Sequence, residues 1–475
     1  MAYFIILFVS LYGVRNRPNV LFIAVDDLRT ELGCYGSPLA KTPHIDQMAS
    51  MGTLFERAYC QQAVCGPSRV SLLCGQRPDT TKVWSLFTRF RDIQPEIITL
   101  PQFFKNHRYH SYRLGKIFHR GHGNKADHIS WNPVKYSSPL FIGKKLTIKN
   151  YINHSAGQKP TTEKANVPDN YYRDGAITDH AIKAIEHFKE NQTSFFLAVG
   201  YSKPHLPFCA PKKYWDLYNR EGIPNSPTPS VPEGASKYSL YNDFGEMRKY
   251  DGVPASGPVS IEHRKELRHG YLACVSYIDA QVGRLMDTLE KNNLMKNTII
   301  ILWGDHGWKL NDYASWCKHS NMELDVWVPL IVVAPNCKPG QRSSALVELV
   351  DIYPTLTELC DFDIPNQCEG NSMVPLLKDP NRTWKKAAFS QYPRKEGEVK
   401  VMGYSIRTEK WRYTEWVDQQ SKSVLDRELY DHSVSPFAKK NVSEDSENIE
   451  IVRKLSLMLN KGKGWERIKN ELGNN

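Results

Sequence analysis

The sequence predicts an α/β protein in which a large, mostly parallel sheet is sandwiched by helices and a smaller C-terminal antiparallel subdomain follows. Three observations carry this. Continuous apolar runs, "NVLFIAVDD" at 19–27, "SFFLAVGYSKPH" at 194–205 and "NTIIILWGDHGW" at 297–308, each end in polar, chemically capable residues, as expected of strands buried on both faces. Between them, "DGAITDHAIKAIEHFKE" and "LACVSYIDAQVGRLMDTLEKN" repeat apolar residues every three or four positions, the period of a helix. Strands alternating with helices give a parallel sheet. After about residue 385 the pattern changes to shorter segments, "VMGYSIRT" and "WRYTEWV", and then a polar terminal helix.

From the start of the chain, "AYFIILFVSLYGV" at 2–14 is too short for the roughly 20 residues of a membrane-spanning helix. It reads as a signal peptide over 1–17, with a buried first strand as the other reading, and no stable membrane insertion is expected. Residues 18–385 then form the main domain and 386–475 the C-terminal subdomain. The stretch 205–260, rich in Pro, Gly, Ser and Tyr, reads as long surface loops shaping a cleft. Sequons at Asn153, Asn191, Asn381 and Asn441 suit glycosylation on a secretory route.

Composition narrows the partners. The 475 residues carry a net charge of +11 with dispersed lysines and arginines, which favours an acidic partner. No zinc-finger spacing or RNP-like motif is present, so nucleic acid is not expected; a polyanionic carbohydrate fits the charge. The ten cysteines include no C-x-x-C pair, which argues against a zinc or redox motif. Cys360 and Cys368 are close in a polar loop and form a bridge there or remain thiols.

Ligands of open α/β sheets sit outside the carboxyl ends of the strands, where Asp26, Asp27, Asp305 and His306 end two of the runs. Alone, these acids fit a strand-end turn or a helix cap as well as a metal site. In "CGPSR", Pro67 suits a first helical turn and puts Cys65 just before an anion-attracting amino terminus. A structural cysteine or a thiolate is plausible there. Lys116 and His119, three apart in "LGKIFH", can point the same way, and His205 in "KPHLP" lies between two prolines that fix its turn.

Cys65-Gly66-Pro67-Ser68-Arg69, continued by Leu73, Gly75 and Arg77, resembles the signature of the type I sulfatases, whose cysteine is oxidised after translation to Cα-formylglycine. The resemblance implies an alkaline phosphatase/sulfatase-like fold and a formylglycine-generating enzyme as a partner during maturation. It also implies a hydrated aldehyde at residue 65, of which one hydroxyl attacks sulfur and the other later expels sulfate. Asp26, Asp27, Asp305 and His306, with the modified Cys65, would then hold one Ca²⁺, Mg²⁺ being the less suitable ion. Arg69 would hold the sulfate and the hydrate. Lys116 would bind a sulfate oxygen or the hydrate, and His119 would take the proton of the hydroxyl that releases sulfate. His205 and Lys318 would touch the scissile oxygen, one of them protonating the leaving alcohol.

Further blocks, "RPNVLFIAVDDLR", "FFLAVGYSKPHLPF", "SYIDAQVGRL", "SQYPR" and "MGYSIRT" with "WRYTEW", are similar to the branch of the family that removes 2-O-sulfate from terminal iduronate of heparan and dermatan sulfate. That likeness implies a sulfated glycosaminoglycan substrate, a lysosomal or extracellular destination, and Lys203, His205, Trp308 and His319 near the sugar. The alternatives are another sulfated sugar or small sulfate ester, or an unmodified, non-catalytic carbohydrate-binding homologue. Phosphate-ester hydrolysis is disfavoured by a cysteine within a modification motif. The chain departs from the family at Cys74, usually Thr, and at Asn311, Asp312, Tyr313 and Ala314, usually Gly-Glu-His-Gly, which is expected to narrow or tilt the entrance. His319 stands where the nearest relatives tend to have Tyr.

Overall fold

The computed structural model describes residues 17–119, 127–134, 140, 151–155, 157–240, 245–433 and 435–462. The expected signal peptide lies outside these residues except for Arg17. No helix among them is long and apolar enough to cross a membrane.

Seven strands make the central sheet: β1 Asn19–Val25, β2 Thr53–Tyr59, β3 His110–Gly115, β4 Phe195–Tyr201, β5 Thr298–Gly304, β6 Trp327–Val333 and β7 Gln341–Glu348. Their order is β7-β2-β6-β5-β1-β4-β3. The pairs β1/β4, β1/β5, β3/β4 and β2/β7 are parallel. β6 runs antiparallel to both neighbours, β5 and β2. Parallel neighbours need a long crossover, usually a helix. The chain from 305 to 326 makes no such crossover and instead folds over the strand ends, so β6 returns in the opposite sense.

The apolar runs predicted as two-sided strands divide as a period of two requires. Leu21, Ile23 and Val25 face one core, while Val20, Phe22 and Ala24 face the other. Helices α1 Pro43–Met51, α3 Arg173–Glu190 and α4 Ile261–Lys291 cover the first face. Helices α2 Cys65–Cys74 and α5 Ile352–Leu359 cover the second.

Strands β8 Ala388–Glu396, β9 Val399–Arg407, β10 Trp411–Asp418 and β11 Val424–Asp431 form the antiparallel C-terminal sheet. Helix α6, Ile449–Gly462, packs Leu455 and Leu459 against its Ile406 and Leu429. Glu323 ties this sheet to the central one. Its carboxylate accepts from Arg412 at 2.6 Å, Arg407 at 3.1 Å and the Tyr59 hydroxyl at 2.8 Å. All four residues are buried, so each charge depends on the others for the solvation it has lost. Breaking such a network leaves two guanidiniums beside a neutral group. Glu323→Gln is therefore expected to lower the unfolding free energy by about 3–5 kcal/mol in equilibrium urea denaturation, and a loss under about 1 kcal/mol would deny it this anchoring role.

Asp279 of α4 accepts the Ile45 N–H at 2.7 Å, capping α1 from a distance. Burial pushes its carboxyl up to about 7, against the pull of the backbone donors. The folded state thus holds this proton more tightly than the unfolded chain, and the stability it contributes is lost as pH rises from about 4 to about 7. Asp279→Asn is expected to gain on the parent by about 1 kcal/mol or more between pH 5 and 7.5, read from urea denaturation at both values.

Candidate active site

The strand ends converge as the sequence predicts. Asp26 and Asp27 follow β1, and neighbours on an extended strand would point to opposite faces. Asp27 instead adopts the left-handed region, with φ of 61°. Its N–H donates to Asp305 Oδ1 at 3.0 Å and its carbonyl accepts the Tyr271 hydroxyl at 2.9 Å. The bend turns both carboxylates to one side. Asp305 and His306 follow β5, the parallel neighbour of β1. One ligand atom each from Asp26, Asp27, Cys65 and His205 lies within 4.8 Å of the others, and the same holds for Cys65, Asp305 and His306.

Cys65 opens α2, its Sγ 3.3 Å from His306 Nε2. Ser68 Oγ donates to the Asp305 carbonyl at 2.5 Å, which locks the first turn of α2 to the end of β5. Burial, with Asp26 beside it, pushes the Cys65 thiol up to about 12, so the thiolate the helix terminus made plausible is not the resting form. An unmodified Cys65 is a poor nucleophile here.

Arg69 is fully buried beneath these groups. It donates to Asp305 Oδ2 at 2.8 Å, to Asp26 Oδ1 at 3.1 Å and to the carbonyls of Lys116 at 2.6 Å and Ile117 at 3.0 Å. Its guanidinium is committed to the acids and to the Lys116 turn. Lys116 pairs with Asp26 Oδ2, and Lys318 donates to Asp27 Oδ1 at 3.0 Å. Burial raises the Asp26 carboxyl, but Lys116, His205 and Arg69 outweigh it and hold it well below the usual range. Asp27 is the less compensated acid: burial pushes it up, and His205 and Lys318 only partly oppose this. Burial and the adjacent Lys116 pull His119 down to about 4, and its Nδ1 has no hydrogen-bond partner among the described residues.

Two observations test whether the acids suit a dication. His306 Nδ1 lies 3.0 Å from the Gly307 carbonyl, which can only accept, so that nitrogen carries hydrogen. Its Nε2 then faces Cys65 Sγ at 3.3 Å, Asp27 Oδ1 at 3.4 Å and Asp305 Oδ2 at 3.7 Å, a set of donors gathered closely enough to share one cation. The local charge agrees. Arg69, Lys116, Lys318 and the raised His205 balance Asp26, Asp27, Asp305 and Glu246, and one dication makes the site positive, which attracts an anionic ester. Three carboxylates and an imidazole fit Ca²⁺ in this way.

Glu246 escaped the sequence reading. It lies on a 3-10 segment, Gly245–Lys249, inside the stretch read as surface loops. Its carboxylate accepts from Lys318 at 2.8 Å and lies 3.5 Å from His205 Nε2. Burial pulls the His205 imidazole down, but Asp27 and Glu246 outweigh it and push it up to about 9. Asp174 was missed too. It accepts the N–H groups of Ser202 at 3.0 Å and Lys203 at 2.7 Å and so sets the start of the His205 turn. Neither acid belongs to a motif, and no sequence signal pointed to either.

Of the residues expected near the sugar, Lys203 and Trp308 adjoin His205, and His319 follows Lys318. Lys203 donates to the carbonyls of His205 at 2.7 Å and Pro207 at 2.5 Å, stapling the turn. Trp308 is fully buried, its ring 4.8 Å from Lys318 Nζ. His319 is half-buried, its Nδ1 2.7 Å from the Tyr392 hydroxyl of β8, and its carbonyl accepts from Arg394 at 2.7 Å. In the altered loop, Asn311, Tyr313 and Ala314 keep positive φ of 72°, 55° and 52° without glycine. Asp312 answers that strain by bonding Arg29 at 2.9 Å and Ser226 at 2.5 Å, and the Tyr313 hydroxyl accepts the Ala438 N–H at 3.0 Å. Of the sequons, Asn153, Asn191 and Asn381 are exposed. The Asn441 amide is occupied, donating to Gly234 and Arg427 carbonyls at 3.0 and 3.1 Å and accepting from Leu429 at 2.8 Å.

Comparison with known proteins agrees with this geometry. The sulfatase family model matches residues 18–362, and the model for the C-terminal part of N-sulphoglucosamine sulphohydrolase matches residues 304–464. The chain is 35% identical to the iduronate 2-sulfatase of Homo sapiens, over 92% of this chain and 93% of that protein. Its fold is similar to a solved protein in complex with its substrate D-glucosamine-2-N,6-O-disulfate, with a TM-score of 0.74 and 22% identity over 97% of this chain and 100% of the other. It is equally similar to the phosphonate monoester hydrolase of Silicibacter pomeroyi, with a TM-score of 0.74 and 21% identity over 96% and 97% of the two chains; at this distance the fold alone is shared, and it does not select the ester. Strand-end acids, the Cys65 helix and the family match converge on one statement: this chain belongs to the sulfatase family and is a sulfuric ester hydrolase.

Proposed function

We propose that the chain removes 2-O-sulfate from terminal iduronate of heparan or dermatan sulfate, with formylglycine made from Cys65 by a formylglycine-generating enzyme. The observation that carries the reaction is the position of Cys65, first in α2 and 3.3 Å from His306, between the acids and the ammonium groups of Lys116 and Lys318. The substrate rests on the 35% identity to the human iduronate 2-sulfatase, which extends over nearly the whole of both proteins. A sugar carrying both sulfate and carboxylate also suits a net charge of +11. Lysosomal or extracellular residence follows from the same likeness.

The hydrated aldehyde supplies an attacking hydroxyl, and a Ca²⁺ held by Asp26, Asp27, Asp305, His306 and residue 65 supplies positive charge beside the sulfate. The chain's own groups do the rest. Lys116 and Lys318 bind sulfate oxygens. His119, with its pKa near 4, remains able to accept a hydroxyl proton at acidic pH. Lys318 or His205 holds the proton that the leaving alcohol receives. Arg69 acts one layer deeper, keeping Asp26 and Asp305 at fixed separation. Glu246 steers Lys318 and keeps His205 charged, and His319 with Tyr392 forms the wall met by the sugar.

Mass spectrometry of the tryptic peptide 58–69 tests the central step. An aldehyde at residue 65 is expected in protein produced alongside the modifying enzyme, and a plain thiol there removes the nucleophile. Cys65→Ala is expected to lower turnover at least about a thousandfold, whereas activity within about tenfold of the parent refutes the assignment. Across 2-O-sulfated uronate, N- or 6-O-sulfated glucosamine, aryl sulfate and choline sulfate, kcat/KM is expected to be highest for the uronate; a preference for another ester keeps the chemistry and overturns the substrate.

Glu246→Gln preserves shape and removes the charge. It is expected to reduce kcat by about 10- to 100-fold with a smaller change in KM. An unchanged kcat would leave Glu246 outside the machinery.

A further inference from the structure

Helix α2 opens with Cys65 and closes with Cys74, and Cys74 is not used by the chemistry. The segment after α5 runs beside that far end. The Gln367 side-chain amide donates to the Cys74 carbonyl at 2.8 Å, the Glu369 N–H donates to the Gly75 carbonyl at 2.8 Å, and the Glu369 carboxylate accepts the Arg77 N–H at 2.7 Å. Cys368 lies between these clasps. A Cβ built on Gly75 would stand 3.0 Å from the Cys368 Sγ and 3.5 Å from its Cα, so the sulfur is directed at the end of α2. Cys74 is the residue next to Gly75, and the Tyr353 hydroxyl feels both Cys74 and Cys368, so the two thiols share one buried pocket.

Both residues are buried, Cys74 at 0% and Cys368 at 2% exposure. Burial raises the Cys74 thiol above its ordinary range, with Cys368 among the groups acting on it. Cys360, the partner that sequence proximity suggested for Cys368, is attended instead by the Tyr109 hydroxyl and by Arg17.

We propose that Cys74 and Cys368 are joined by a disulfide when the chain folds in an oxidising compartment. Two S–H bonds are lost and one S–S bond is made. The two electrons and two protons pass, through a mixed disulfide, to the disulfide form of a thiol–disulfide oxidoreductase, which leaves as the dithiol. The bond has a consequence for the reactive end of the helix. Cys65 and Cys74 are nine residues apart, about 13 Å of axial rise, too far to join once α2 has formed. In the unfolded chain no such limit applies, and the bond to Cys368 withdraws the thiol nearest in sequence on that helix from competition for Cys65.

The test uses the full chain secreted from eukaryotic cells, equilibrated in a glutathione redox buffer, then unfolded and alkylated with N-ethylmaleimide without reduction. Trypsin separates Cys65, in 58–69, from Cys74, in 70–82, and a protease specific for acidic residues cuts between Cys360 and Cys368 at Asp361 and Asp363. A linked pair of peptides carrying Cys74 and Cys368 is the expected product. Maleimide on both residues, or a Cys360–Cys368 link, overturns the proposal. As a second measure, Cys74→Ser, Cys368→Ser and the double variant are expected to show nearly equal drops in melting temperature, because either change breaks the same bond. Additive drops overturn it. Neither readout depends on sulfatase activity, so failure here is distinct from failure of the proposed reaction.

Discussion

The Arg69 guanidinium, buried between Asp26 and Asp305, is the contact on which the remaining architecture depends. It joins the ends of two parallel strands to a helix on the adjacent face and to the turn carrying Lys116. Two carboxylates held this close in a poorly polarisable interior repel strongly, and a cation with fixed, planar donors offsets that repulsion while setting the distance between them. The Ser68 bond to the Asp305 carbonyl then brings the first turn of α2 into the same frame. Residue 65 is positioned by these bonds and owes little to its own contacts. The other end of α2 is held where segments 74–77 and 367–369 meet.

The sequence carried the parts of this frame that are local. A short, β-branched apolar run such as "NVLFIAV" fits a strand covered on both faces, and acids at the end of a parallel strand fall at the sheet's carboxyl edge. Cys65, Asp26, Asp27, Asp305, His306, Lys116 and Lys318 meet because parallel strands present their ends together. Direction was less legible. The sequence predicts a mostly parallel sheet, but whether β6 runs with or against β5 depends on how residues 305–326 are used, and nothing in their composition states that.

Side-chain roles were legible only where geometry and motif coincide. The family resemblance implies a sulfate ligand at Arg69; the fold turns it inward, onto two acids and two carbonyls. Lys203 and Trp308 stand beside reactive residues in sequence, yet one staples a turn and the other lies behind Lys318. Glu246 was hidden for the opposite reason. Its neighbours are polar and aperiodic, and its meaning arises when a loop folds across to a lysine 72 positions later in the chain. The glycine-poor loop after Trp308 shows a similar dependence: its left-handed residues are tolerated because Asp312 and Tyr313 find partners in distant segments.

The contacts of His319 reach across the molecule. His319 comes from the stretch following β5, whereas the Tyr392 and Arg394 that hold it come from β8 of the smaller sheet. Residues of the two sheets thus meet at one histidine, although His319 and Tyr392 stand 73 positions apart. A change in the β8–β9 hairpin therefore reaches His319 without altering any of the strand ends that carry the acids.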